Sequence, residues 1–264
     1  MRCRLSLIFS LSLLGGSLFA QEIVMKDGTM HKATEMRREG QFIFYKTLAP
    51  NTSVTEGVVA VAQIQSIVFP ELEGFAEARV AAARGHALKV LRITEGLVPL
   101  VRVHADLPGN QWPDVMRLHV PALVAGGNSE AVSALQKQWV STADTDLDNA
   151  AKVLFLNKSD PEKAGLAWAA LAKPGASSLG AAISWLGIGQ QALESKKWGL
   201  AIRSFLSVEL FVPAQRLLHP SALLGAIRGM LGAGDEVQAR RLLVELKSEY
   251  PDTPEYESAA GLLP

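Results

Sequence analysis

Between Glu22 and Phe69 the chain alternates apolar and polar residues in short runs separated by turn residues. EIVMK runs into Asp27-Gly28 and MRR into Glu39-Gly40, both tight-turn signals between extended segments. The next run, QFIFYKT, is aromatic and β-branched. Its period of two places Phe42 and Phe44 on one face and Ile43 and Tyr45 on the other. VVAVAQIQSIVF sustains the apolar content until Pro70 stops it. A stretch of roughly 48 residues with this rhythm predicts a small antiparallel β-barrel or curled sheet of four or five strands.

After Pro70 the alternation gives way to Ala- and Leu-rich segments with apolar residues three and four apart, the helical period. Helix starts are marked where Pro takes the first helical position, in Asp160-Pro161, His219-Pro220 and Thr253-Pro254. Asn128, before SEAVSALQKQWV, is a cap of the same kind. The expected organisation is mainly α with a small all-β N-terminal module: a β domain over residues 21–70 and helical hairpins over 71–264.

The first 20 residues stand apart. Arg2 and Arg4 precede an uncharged, Leu-rich stretch from Leu5 to Ala20, interrupted by Gly15, Gly16 and Ser17. That layout predicts a secretory signal peptide over residues 1–20, with an uncleaved anchor as the alternative. Cleavage removes both arginines and the single cysteine, Cys3, leaving 24 basic and 26 acidic residues. The expected destination is periplasmic or secreted. One cysteine rules out an internal disulfide framework and a cysteine-based zinc cluster. With 48% apolar and 20% charged residues the chain is of ordinary folding composition. A formal charge of zero gives no reason to expect nucleic-acid binding.

Self-similarity carries the functional reading. In AISWLGIGQQALESKKWGLAIRSFLSVELFVP, residues 182–213, Trp185 is the first large apolar residue and Ile188-Gly189 an aliphatic–small pair. Ala201 is the small residue of the second helix, Phe205 and Val208 continue its stripe, and Pro213 closes the unit. The next unit offers Leu223, Gly234, Ala239, Leu243, Leu246 and Pro251 in step. These segments resemble tetratricopeptide repeats, with Ala192 and Ile227 departing from the pattern in size. Weaker copies follow the same plan: Leu118, Ala122, Gly126, Ala131 and Leu135; then Ala151, Phe155, Ala164 and Trp168; and a half unit around Ala87. The crossing alanines fall at 87, 131, 164, 201 and 239. In the β segment, strand rhythm and size resemble SH3-like and Sm-like barrels.

Chemical motifs are sparse. In DTDLDN, residues 144–149, acids at alternate positions imitate a calcium loop, but Asn149 and Phe155 stand where Gly and Glu are needed. Acidic residues at a helix start explain the pattern. The five histidines, at 31, 86, 104, 119 and 219, form no metal-binding pair, and His119 reads as a structural residue in a helix. No nucleophile elbow or phosphate-binding glycine loop is present. Gly225 and Gly229 read as a close-packing pair. The five tryptophans (112, 139, 168, 185 and 198) read as core or inter-repeat packing. Sequons begin at Asn51 and Asn157.

The expectation is therefore a non-enzymatic interaction or scaffold protein, without cofactor or metal, that takes a protein or peptide partner on a concave helical face. The alternative is an envelope enzyme or small-ligand-binding protein whose site assembles from distant residues. The tetratricopeptide resemblance implies that first helices line the groove. The candidate contacts are Ile183, Leu186, Gln190 and Leu193 in one unit, and Ser221, Leu224, Arg228 and Leu231 in the next.

Overall fold

A computed structural model describes residues 21–48, 53–126, 129–159, 161–173, 175–176 and 178–263. The expected signal peptide, the caps Asn128 and Asp160, and Asn51 lie outside the described residues, as does the side chain of Asn157. Contacts divide the chain into two compact units, one ending at Pro70 and the other running from Glu71.

The first unit has six strands: β1 (Gln21–Met25), β2 (Met30–Ala33), β3 (Glu35–Glu39), β4 (Phe42–Leu48), β5 (Val54–Ala60) and β6 (Ile64–Val68). Both expected tight turns carry a glycine in the left-handed region, Gly28 at φ 86° and Gly40 at φ 58°. Ile43 and Tyr45 point inward and are buried, while Phe42 is exposed. Of the two expected forms, barrel or curled sheet, the barrel does not close. The strands make two three-stranded antiparallel sheets, β2-β1-β6 and β3-β4-β5. Chain direction changes at Thr34, whose N–H donates to Lys46 O at 2.8 Å between the sheets. A 3-10 turn at Val61–Gln63 likewise moves the chain from one sheet to the other. The outer strands are β2 and β6 in one sheet and β3 and β5 in the other.

The second unit is helical: α1 (Phe75–Ala83), α2 (Ala87–Arg102), α3 (Trp112–Gly126), α4 (Ser129–Gln138), α5 (Thr145–Ser159) and α6 (Pro161–Leu171) come first. They are followed by α7 (Leu179–Glu194), α8 (Trp198–Phe211), α9 (His219–Gly232), α10 (Glu236–Glu249) and α11 (Pro254–Leu262). Hairpins pair α1 with α2, α5 with α6, α7 with α8 and α9 with α10. The weaker copy over 112–143 departs from the expectation, because α4 packs on α5 instead of returning along α3. The apolar face of α3 is already buried against α2, where Thr94 Oγ1 and His119 Nδ1 lie 2.9 Å apart in a buried pair.

Three hairpins share one turn. In each, two hydrogen bonds close the first helix around a residue with positive φ, a Schellman arrangement. Gly85 N–H donates to Ala82 O and His86 N–H to Ala81 O; Lys196 N–H donates to Leu193 O and Lys197 N–H to Ala192 O. Gly234 N–H donates to Leu231 O and Asp235 N–H to Met230 O. The next helix starts from nearly the same backbone each time, with ψ of 69° at His86, 64° at Lys197 and 72° at Asp235. This common turn corrects one register. The residue of the first hairpin that corresponds to the buried Ala201 and Ala239 is Val90, three positions beyond Ala87.

Helices α5, α7, α9 and α11 pack one on the next, so the first helices form a continuous row. The array also meets its own beginning. A 3-10 turn at Arg216–Leu218 packs on α1 and α3, and Arg216 Nε donates to Ala83 O at 3.0 Å. The space beside Gly85, where a side chain would stand, is filled by Tyr250 and Pro220.

Candidate functional site

The row of first helices leaves a concave pocket of about 620 Å³ in the second unit. It is lined by Leu123 of α3, Leu154 of α5, Ile183 and Leu186 of α7, and Leu224 of α9, with Glu255 of α11 at the end of the row. Two rings complete the walls and explain the glycines beside them. Trp168 lies against Gly187, and Phe205 against Gly189 and Gly225, where any side chain would collide with the aromatic face. Glycine here is a packing requirement that lets α6 and α8 press rings onto α7 and α9. Gly229, the partner of Gly225, is in contact distance of Ala201 and Ile202, as close packing demands.

The polar groups are few and placed singly. Ser221 donates to Glu255 Oε1 at 2.9 Å, joining α9 to α11, and Gln190 Nε2 donates to Glu194 Oε1 at 3.0 Å. Arg228 is exposed, and its side chain has neither hydrogen bond nor ion pair with any described residue. A guanidinium presents five N–H donors and no acceptor, so it is a ready anion receptor at the edge of an apolar surface.

Of the residues expected to bind a partner, the pocket gathers Ile183, Leu186, Gln190, Ser221, Leu224 and Arg228. Ile183, Leu186 and Leu224 are largely covered by neighbouring helices. Leu193 and Leu231 fall outside it; each is partly buried on a different hydrophobic cluster of the core. Val153 and Leu154 of α5 and Leu123 of α3 were not anticipated as lining residues. Carrying the first-helix stripe of α7 and α9 back to the weaker copies reaches Val153 and Leu123 but not Leu154.

Other candidate chemistry resolves into structure. Asp144 Oδ1 accepts from the N–H groups of Asp146 and Leu147 at the start of α5. Asp146 accepts from Leu179 and Gly180 N–H at the start of α7, at 2.9 and 3.1 Å. Asp148 accepts from Thr142 N–H and hydroxyl. The three carboxylates thus satisfy helix N-termini and a loop. Burial lowers the His119 pKa to about 4. His219 Nε2 lies 3.2 Å from Val212 O and its Nδ1 3.2 Å from the Tyr250 hydroxyl, and burial again lowers its pKa. Trp112 donates from Nε1 to Val140 O and meets Trp139 edge-on, so these two rings belong to the core. Among the described residues no helix is long and apolar enough to cross a membrane.

No known family model, curated protein or solved structure matches the chain.

Proposed function

We propose that the protein is an exported, non-enzymatic scaffold whose tetratricopeptide-like helical array holds an apolar segment of a protein or peptide partner in this pocket. One observation carries the reading. Residues from α3, α5, α7, α9 and α11, far apart in sequence, converge on one apolar concavity beside an arginine whose side chain has no partner among the described residues. Repeat arrays present such concave surfaces to extended ligands. A contiguous apolar surface with isolated polar groups marks an interaction site. Leu186 is too well covered for a charged substitution to report on binding alone. Gln190 and Arg228 are exposed and suited to the test.

The test places a photo-crosslinking residue at position 190 in the full-length protein, with position 247 of the exposed α10 surface as control. The expected result is a discrete adduct from position 190 only, abolished by Arg228→Glu with the circular dichroism spectrum unchanged. Equal adducts from both positions, or none, overturns the reading.

The pocket volume supports a second reading, because about 620 Å³ falls within the range of small-ligand sites. Mass spectrometry of organic extracts from the purified native protein distinguishes the two. A stoichiometric small molecule supports a ligand carrier, and its absence together with the adduct supports the scaffold.

A further inference from the structure

A second concavity, of about 260 Å³, lies where α1, α3 and the 3-10 turn at Arg216 meet. Three arginines line it, Arg79, Arg117 and Arg216, and no acidic residue is among the described residues of its wall. We infer that this pocket is a binding site for a phosphate-class oxyanion, a free phosphate ion or a phosphate monoester.

Each arginine is held by its own support. Arg216 Nε donates to Ala83 O and its Nη2 to Glu249 Oε2, both at 3.0 Å, while its plane lies 5.3 Å from the Tyr250 ring centre. Arg117 pairs with Asp144, whose carboxylate is mostly covered. Arg79 sits 4.6 Å above the Phe75 ring and has no carboxylate partner among the described residues. These supports use only part of the donor capacity, since each guanidinium offers five N–H groups in a fixed fork. Fixed forks from three separate elements suit the several oxygens of one tetrahedral anion. Asp144 pairs with Arg117 and Glu249 with Arg216, which Glu209 also faces, and the charge on Arg79 remains for a ligand. The floor, made by Ala82, Ala83 and Leu118, is apolar and leaves room for several water-sized volumes of about 30 Å³.

The pocket shares no lining residue with the apolar pocket, so the two readings fail independently. The test is calorimetric titration of the full chain with inorganic phosphate and, separately, with phosphoserine, at low ionic strength. Saturable binding at one site is expected. The tighter of the two probes identifies the free ion or the ester as the source. Arg79→Ala, at an exposed position outside any ion pair among the described residues, is expected to weaken binding about tenfold, and Arg79→Lys by less. Lys247→Ala, on the exposed surface of α10, should leave binding unchanged. No saturable binding up to millimolar ligand, or equal affinity in Arg79→Ala, overturns the proposal.

Discussion

At the scale of single residues, Lys196 is the most informative. It takes the αL position of the α7–α8 turn with φ of 54°, where the equivalent residues of the other two turns are Gly85 and Gly234. A side chain there pays a steric penalty that glycine escapes. Lys196→Gly is expected to stabilise the protein by about 0.5–1 kcal/mol, even though glycine also gains freedom in the unfolded chain. Gly234→Ala should destabilise by about 1 kcal/mol for the mirror reason. Lys196→Ala keeps the strain and should be close to neutral. Urea denaturation of the three variants checks the order, and a loss of stability in Lys196→Gly would contradict the turn geometry. Asp146 shows the opposite lesson. As part of DTDLDN it imitates a metal ligand, yet it accepts the first N–H groups of a helix more than 30 residues away. No local pattern announces that bond, because the donors belong to another hairpin.

At the scale of elements, the crossings decide stability. Ala201 and Ala239 are fully buried, and Gly229 approaches Ala201 across the α8–α9 contact. Ala201→Leu and Ala239→Leu are each expected to cost about 1–3 kcal/mol by overpacking. In the first hairpin the same place is taken by Val90, so Val90→Ala should open a hole and cost about 1–3 kcal/mol. Thermal unfolding followed by circular dichroism measures all three, and neutral behaviour throughout would remove the shared register. The strong periodicity of residues 182–251 made the α7–α8 and α9–α10 hairpins legible, along with most of the pocket residues they supply. Glycine dipeptides likewise made two β-turns legible. The register at Ala87 was not, since two small apolar residues three apart satisfy the same helical stripe, and only the turn at Gly85 tells them apart. The α3–α4 hairpin failed because α3 is apolar around much of its surface, and α2 competes for the face that α4 would have covered. Which of the two forms arises, barrel or curled sheet, was not legible, because nothing local in Thr34 or Val61–Gln63 says which sheet the next strand joins.

At the scale of the whole helical unit, its stability should follow opposing titrations. Burial and the nearby Glu245 and Glu249 carboxylates raise the Glu209 pKa from 4.5 to about 7, with Arg216 acting weakly the other way. The folded protein therefore holds a proton there that the unfolded chain has released. Stability from this group falls as pH rises from 4.5 through 7, and the penalty is complete above that window. His119 acts with the opposite sign. Its folded pKa is about 4 against 6.5 for the free side chain, so the unfolded chain takes up the proton first as pH falls. Its contribution is intact above 6.5 and is lost as pH drops toward 4. His219, lowered mainly by burial, adds to this acid limb. The two windows overlap between 4.5 and 6.5, where the opposing slopes offset each other, so stability should be nearly level there and fall off on either side. Glu209→Gln should flatten the alkaline limb, stabilising the protein at about pH 8 with little effect at about pH 5. Denaturant titrations across this range check the claim. If Glu209→Gln shifts stability equally at both pH values, burial and the neighbouring carboxylates do not hold a proton on Glu209 in the folded protein.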